Sequence, residues 1–253
     1  MELVTPDRHR FAPPASPRYF DPGSLKALDE PVQRYLNHAL APGAVVAGGR
    51  RLSMAGRIKV GRWLAFDAEQ DMPGNGHAFT WTARAGLGRF RPLRVVDSYR
   101  PGAGATEGHL FGRLRFMHAE DHDTARSAAG RAAVESVMDP TSLLPENGVS
   151  WETEDDDVIV ARFDVPPERA EVRLRIDAAG ALRSAEIMRW GNVGRDGFGY
   201  IPFGADVHAE RRFGDLVVPS ELSVGWWYGT PRHRPFFEAT IRDGSLTAPS
   251  SQA

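Results

Sequence analysis

Hydrophobic and polar side chains alternate along most of the chain from residue 52 onward. Leu52, Met54 and Ile58 occupy every second position of one such run, with polar or small residues between them. Side chains of a strand point to opposite faces in turn, so a period of two is typical of strands with one buried face. Similar runs recur at near-regular spacing, separated by turn-forming residues. The pattern predicts successive hairpins in an antiparallel sheet of about ten or eleven strands.

Two segments follow a helical period instead. Residues 30–40 place their apolar side chains on one helical face, and Asp29 lies near the position of a helix cap. Residues 125–138 are rich in alanine, and Asp123 or Thr124 is in position to cap them. Small side chains allow a helix to approach a sheet closely. Together with the strands, these segments predict an α+β fold with two main helices. The first helical face comprises Val32, Tyr35, Leu36, Ala39 and Leu40.

Strands are predicted on both sides of the second helix, which favours a single α+β domain over residues 23–245. Residues 1–22 hold five of the 19 prolines and no hydrophobic period, so we expect an extended N-terminal arm there. Residues 246–253 are polar, and we expect a frayed tail. Residues 140–148 are apolar enough to form a structured connector. The glycine-rich residues 191–204 are either a flexible hairpin tip or a lid that carries Arg195, Asp196 and Tyr200.

The composition is that of a globular protein. Of 253 residues, 42% are hydrophobic and 25% are charged, which excludes a disordered chain. The absence of cysteine excludes disulfides, thiolate catalysis and cysteine-ligated metals. A net charge of −2 gives no basic surplus for nucleic acid. No apolar run is long enough for a membrane span or a secretory signal, so we expect a cytoplasmic protein.

One polar run has the spacing of an acid–base site. In an extended strand Asp206, His208 and Glu210 point to the same face. If that face is turned inward, His208 between two carboxylates is a candidate general base, with Arg189 or Tyr200 contacting an anion or a carbonyl group. If the face is turned outward, the three residues are ordinary solvated surface.

The strands also carry many aromatic side chains. They can line a pocket for an apolar ligand, or they can simply pack the core, because aromatic residues favour strands in any case. Trp226 and Trp227 are adjacent and cannot both face inward, so one of them is exposed or covered by a loop or a partner, and a homo-oligomer is possible. The candidate ligand-binding residues are Phe66, Phe79, Trp81, Phe111, Arg189, Trp190, Tyr200, Trp226 and Trp227.

A second polar cluster comprises His118, Glu120, Asp121 and His122. Imidazole and carboxylate groups this close together could bind a divalent metal. The cluster directly precedes the second predicted helix, where acidic residues cap free N–H groups, and we favour that interpretation over a metal site. The sequence contains no complete phosphate-binding glycine loop and no Gly-x-Ser-x-Gly motif, and we expect no cofactor.

Five short motifs lie in order at residues 31–36, 61–70, 79–81, 110–112 and 140–152. Together they resemble a widespread and uncharacterised bacterial family. Its strand and helix plan is similar to the LolA/LppX-like architecture, which implies a strongly curved, incompletely closed antiparallel sheet around an apolar cavity for acyl chains. The resemblance therefore implies a binding protein for a hydrophobic small molecule or acyl chain. The alternative is a metal-free acid–base enzyme, such as an isomerase, cyclase or hydrolase, that uses the same cavity.

Overall fold

The computed structural model describes residues 17–46, 48–74, 77–194 and 197–247. For residues 246 and 247 it describes the backbone alone. Most of the predicted N-terminal arm, the predicted tail beyond residue 247, and Arg195 and Asp196 of the predicted lid lie outside these residues. The helices are α1 (Glu30–Ala39) and α2 (His122–Val134). The strands are β1 (Arg18–Tyr19), β2 (Val45–Val46), β3 (Gly49–Val60), β4 (Arg62–Met72), β5 (Phe79–Leu87), β6 (Phe90–Arg100), β7 (Ala103–Leu110), β8 (Leu114–Ala119), β9 (Ser150–Asp155), β10 (Val158–Val165), β11 (Glu168–Ile176), β12 (Leu182–Gly191), β13 (Gly199–Phe213), β14 (Leu216–Trp226) and β15 (Arg234–Thr247).

Thirteen of these strands form one antiparallel sheet in the order β8-β7-β6-β5-β4-β3-β15-β14-β13-β12-β11-β10-β9. Within β3–β8 and within β9–β15 each strand pairs with its neighbour in sequence, and β15 also pairs with β3. The two edge strands, β8 and β9, do not pair with each other in the part of the chain that the structure describes. The sheet is therefore open, and the predicted α+β plan of an incompletely closed antiparallel sheet with two main helices is confirmed.

The sheet has more strands than the sequence pattern predicts. The alternation at residues 109–116 predicts a single strand there. The chain instead reverses at Phe111 and Gly112, which have φ values of 54° and 69°. Positive φ is unusual for a residue with a side chain. Turns are predicted mainly from Gly, Pro, Asn and Asp, so the sequence does not indicate a turn that includes Phe111. The reversal separates β7 from β8, and every residue of β8 before Ala119 is exposed.

Helix α2 lies across the opening of the sheet. It contacts β6 and β7 near one edge and β10, β11 and β12 near the other. Its inner face is made of alanines, and a Cβ at Gly104 of β7 would come within 2.7 Å of the Ala128 Cβ. Only small side chains allow this approach, as the alanine-rich sequence predicts. The helix thus closes one side of the space enclosed by the sheet.

Helix α1 packs on the other half of the sheet, where it contacts β9, β10 and β14. Tyr35 of α1 lies against Trp151 of β9, with ring centroids 6.1 Å apart. The segment after α2 is structured, as predicted, and consists of short 3₁₀ turns that bury Leu143 and Leu144. The Trp151 indole N–H donates to the Leu143 carbonyl oxygen over 3.1 Å, which joins this segment to the same core. No helix in the described ranges is long and apolar enough to cross a membrane.

Candidate functional site

A cavity of about 320 Å³ lies between the inner face of the sheet and α2. This volume is near the lower end of the roughly 300–1,000 Å³ found for small-molecule sites. Inward-facing residues of β3, β13, β14 and β15 form about half of its wall. The rest comes from α2 and the turn after it and from inward residues of β4, β5, β6, β7 and β12. The wall is mainly apolar, because these strands place alternate hydrophobic residues on the inner face. The aliphatic part of the lining includes Met54, Ile58, Val134, Val137, Val207, Leu222, Val224 and Ile241.

Aromatic rings form the other large part of the wall. Trp81 is buried, whereas Trp226, Phe236 and Phe237 are half-buried and line the cavity. The rings of Phe237 and Trp81 are 6.2 Å apart, and Trp226 meets Phe203 at 4.8 Å. Gly191 allows this arrangement, because a Cβ there would come within 2.6 Å of the Trp226 ring.

The polar side of the cavity is centred on Arg131 of α2. Its guanidinium forms ion pairs with Asp97 of β6 and, over 2.7 Å, with Glu135. Glu135 accepts a hydrogen bond from the Gln70 amide over 2.8 Å, and Thr106 donates to Asp97 over 2.8 Å. Burial alone would lower the pKa of Arg131, but the charges and hydrogen bonds of Glu135 and Asp97 outweigh burial and raise it. These groups form a hydrogen-bonded network on the cavity wall.

Arg189 of β12 also lines the cavity but has different partners. Its Nε donates to the Ser127 carbonyl oxygen over 3.0 Å, and one terminal nitrogen lies 3.3 Å from the Ser127 hydroxyl. Its guanidinium lies over the rings of Phe203 and Trp226, at 4.5 and 5.0 Å. Within the described residues no carboxylate forms an ion pair with it. Burial, reinforced by the charge of Arg131, lowers the pKa of Arg189 to about 10, so the side chain is still cationic at neutral pH.

A family model for a family of unknown function, DUF6544, matches residues 18–239. The chain belongs to DUF6544. No curated protein sequence matches this DUF6544 chain. The expected membership of an uncharacterised family is therefore confirmed.

Two solved structures are similar to this DUF6544 protein. One is a DUF1329 family protein from Desulfovibrio piger, with 9% identity and a TM-score of 0.45 over 85% of this chain and 90% of that one. The other is a LolA superfamily protein from Nitrosomonas europaea, with 9% identity and a TM-score of 0.45 over 86% of this chain and 92% of that one.

The structure brings part of the predicted aromatic set to the cavity. Trp81, Trp226 and Arg189 line it. Phe66 and Phe79 are buried on the inner face behind the lining, where Phe66 stacks on Phe237 and Phe79 lies under Arg131. These five predicted residues thus lie on the inner side of the sheet, three of them at the cavity.

The other predicted aromatic residues lie elsewhere. Phe111 is on an exposed hairpin tip, and Trp227 lies under the Arg232 guanidinium, 4.7 Å from its ring centroid. Trp190 and Tyr200 form a separate surface cluster around Arg126, whose guanidinium lies 3.6 Å above the Trp190 ring and donates to the Tyr200 hydroxyl. Tyr200 belongs to β13, because the glycine-rich segment after β12 is shorter than the predicted lid.

The predicted acid–base residues do not share a face. Asp206 and His208 point outward, where His208 lies 3.0 Å from the Ser223 hydroxyl and the Tyr228 hydroxyl donates to Asp206 over 2.6 Å. A bulge around Ala209 then shifts the register of β13 against β14. Glu210 consequently turns toward α1. The prediction that the three side chains share one face is therefore wrong, because a bulge interrupts the period of two.

Glu210 has partners of its own on the inner side. One of its oxygens lies 2.8 Å from His38 Nε2, and the other accepts the Leu182 backbone N–H over 3.1 Å. This pairing joins β13 to α1 and to the start of β12. Glu210 does not line the cavity, so the structure gives it a place in the packing of α1.

The cluster before α2 caps the helix. Asp121 is the N-cap residue, and its carboxylate accepts both the Thr124 backbone N–H over 2.8 Å and the Thr124 hydroxyl over 2.7 Å. His118 lies 3.6 Å from Glu107 and from Glu120. Within the described ranges no group of three or more potential metal ligands comes together, and this includes the candidate set with His122.

Sequence reasoning missed the polar network of the cavity. Gln70 has the same phase as Leu64, Phe66 and Ala68 in β4, and Asp97 has the same phase as Val95 in β6. A polar residue at an inward position of a strand was the available signal, because such a residue needs a partner inside the fold.

Proposed function

We propose that this protein binds a hydrophobic small molecule or acyl chain in the cavity between its sheet and α2. The observation that carries the proposal is the mainly apolar wall of a cavity of about 320 Å³, built by several strands and one helix. An alkyl chain that leaves water for such a wall gains about 0.8 kcal/mol per methylene group. Chain length should therefore govern affinity until the space is filled.

Arg189 adds a preference for an anionic head on that molecule. The two arginines and two carboxylates of the wall have charges that sum to zero, but both carboxylates bond directly to Arg131. Arg189 has the neutral Ser127 as its hydrogen-bond partner and a pKa lowered to about 10, mainly by burial. An anion beside Arg189 would stabilise its charge and accept N–H groups that Ser127 leaves free.

Isothermal titration calorimetry with decanoate and 1-decanol tests both parts of the proposal. We expect decanoate to bind with one-to-one stoichiometry, and octanoate to bind more weakly by about fourfold for each missing methylene. We expect decanoate to bind about tenfold or more tightly than 1-decanol, because charge-assisted hydrogen bonds contribute about 1.5–3 kcal/mol. A protein that takes up neither molecule contradicts the proposed function.

Arg189→Met and Arg189→Lys variants distinguish binding of the ligand's anionic head from binding of its alkyl chain. We expect Arg189→Met to lower decanoate affinity about tenfold or more while 1-decanol affinity stays within about threefold. Lysine keeps the charge without the planar fork of donors, so Arg189→Lys should fall between the two. Unchanged 1-decanol binding shows that the variant is folded. An equal loss for both ligands would contradict the role of Arg189 but leave the apolar site in place.

A further inference from the structure

Two neighbouring hairpins expose large apolar side chains at the same end of the sheet. We define the tip patch as Leu87 and Phe90 of the β5–β6 hairpin with Phe111, Leu114 and Phe116 of the β7–β8 hairpin. Each of these side chains is between 52% and 65% exposed. The Phe90 and Phe111 rings are 6.1 Å apart, and the Phe111 N–H donates to the Pro92 carbonyl oxygen over 2.8 Å. The two hairpins therefore meet through Phe90 and Phe111, and clustered exposed apolar side chains of this kind mark binding surfaces.

Phe111 occupies a position that its backbone does not favour. Its φ of 54° suits glycine, asparagine or aspartate, and an aromatic residue there is strained. Burial in the core does not compensate for this strain, because 65% of Phe111 is exposed. A strained, exposed aromatic residue at a turn is a reason to look for a partner outside the folded chain.

Arginines surround the tip patch. Arg89, Arg113 and Arg115 are exposed, and none of the described carboxylates forms an ion pair with them. Arg84 faces Arg94 across β5 and β6, and it faces Asp67 across β4 and β5. Residues 84–116 hold seven arginines but only two acidic residues, in a chain with a net charge of −2.

Neither acidic residue of this segment pairs with these arginines, although Asp67 of β4 forms an ion pair with Arg91. Asp97 points inward to Arg131, and Glu107 lies beside His118. This part of the surface is therefore positive, with exposed rings at its end.

We infer that the tip patch docks on a lipid bilayer that carries anionic headgroups. Aromatic and aliphatic side chains on hairpin tips can enter the interfacial region of a bilayer, and arginines beside them are attracted to anionic lipids. Charge complementarity selects this occupant over an uncharged apolar surface. The surface is separate from the cavity, and the inference holds whether or not the cavity binds an acyl chain.

Flotation with lipid vesicles tests the inference. We expect the protein to float with vesicles of phosphatidylcholine mixed with phosphatidylglycerol, and to bind vesicles of phosphatidylcholine alone at least tenfold more weakly. Raising the salt concentration should weaken binding further. The Phe90→Ser, Phe111→Asn double variant should lose about tenfold or more in affinity. Asparagine tolerates positive φ, so this variant should keep its fold.

Matched variants test the contribution of the arginines to vesicle binding. Replacing Arg89, Arg113 and Arg115 with glutamine should weaken binding to the anionic vesicles about a hundredfold, since each arginine contributes about fivefold. The control replaces Arg169, Arg211 and Arg212 with glutamine, which removes the same charge from exposed positions elsewhere. We expect this control to change binding by less than tenfold.

Three results would overturn the inference. The first is equal binding to neutral and anionic vesicles, and the second is an equal effect of the two arginine triplets. The third is a dimer in solution that the Phe90→Ser, Phe111→Asn variant dissociates while vesicle binding is unchanged. The last result would assign the patch to a second copy of this chain, with β8 as the exposed edge strand.

Discussion

Arg131 and Arg189 line the same cavity, yet their surroundings shift their pKa values in opposite directions. Arg131 has two carboxylate partners, which outweigh the effect of burial and raise its pKa. Arg189 has a carbonyl oxygen, a hydroxyl group and two aromatic faces, and burial lowers its pKa to about 10. Arg131 is therefore a cation held in ion pairs within the fold. Arg189 is a cation with a neutral hydrogen-bond partner. This difference is why the proposed function has Arg189, and not Arg131, bind the anionic head of the ligand.

His77 is a second residue whose behaviour depends on burial. Its Nδ1 lies 2.6 Å from the Ser136 hydroxyl, and its ring stacks on Phe163 with centroids 4.4 Å apart. Burial lowers the pKa of His77 from 6.5 to about 4. The folded protein thus binds this proton more weakly than the unfolded chain does. Stability from the neutral ring is complete above about pH 6.5 and is lost as the pH falls toward 4.

We expect His77 to make unfolding easier in mild acid. Because the pKa of His77 is about 4 in the folded protein and 6.5 in the unfolded chain, lowering the pH from 7 to 5 should reduce the free energy of unfolding by about 2 kcal/mol. Urea unfolding of the wild type and of His77→Gln at both pH values measures this. The variant should lose less stability over the interval, whatever its stability at pH 7. The exposed His208→Gln is the control, and a pH dependence in His77→Gln equal to that of the wild type would contradict the prediction.

At the scale of elements, the two helices begin in different ways. The side chain of Asp121 caps α2 through Thr124. Asp29 stands at the N-cap of α1, as expected from its sequence position, but its side chain forms no capping hydrogen bond. The first turn of α1 instead contains Pro31, which has no N–H group to satisfy.

This contrast predicts unequal effects of the same substitution. Asp121→Ala should lower the free energy of unfolding by more than Asp29→Ala does, because two donors of Thr124 lose their acceptor. Asp29→Ala should change it by less than about 0.5 kcal/mol. Chemical denaturation of both variants at neutral pH checks the difference. Equal losses would mean that capping by Asp121 does not stabilise α2.

At the scale of the whole molecule, an open sheet and a bridging helix enclose the cavity. Helix α2 contacts strands near both edges of the sheet, so the space beneath it is bounded by distant parts of the chain. Ala205 of β13 faces this space from the wall opposite α2. Its small side chain is one reason that the space exists.

A larger side chain at Ala205 should fill the cavity. We expect Ala205→Leu to keep or raise the melting temperature, since it buries up to about 2 kcal/mol of apolar side chain in existing space. The same variant should bind decanoate at least tenfold more weakly. Ala65→Leu, which points to the opposite face of β4, is the control and should leave binding unchanged. Thermal unfolding and calorimetry measure both effects, and full-strength binding by Ala205→Leu would contradict the assignment of the cavity as the binding site.

Much of this architecture follows from local pattern. The alternation that includes Leu52, Met54 and Ile58 predicts which face of β3 is buried, and the helical spacing around Tyr35 predicts α1. Such patterns can be read from the sequence because one-sided burial imposes its period directly on neighbouring residues. Local pattern in this sense determines the α+β class, the antiparallel plan of the sheet and the inward position of Trp81.

Tertiary structure decided the rest. The bulge at Ala209 turned Glu210 toward His38 and left His208 outside, and the reversal at Phe111 made two strands out of one. Asp97 and Arg131 lie 34 residues apart in the chain and meet only when the sheet curves beneath α2. Whether an inward aromatic ring lines the cavity or packs behind its wall likewise depends on contacts between distant strands. A periodic sequence determines which side chains turn inward, but the curvature of the assembled sheet determines which of them meet.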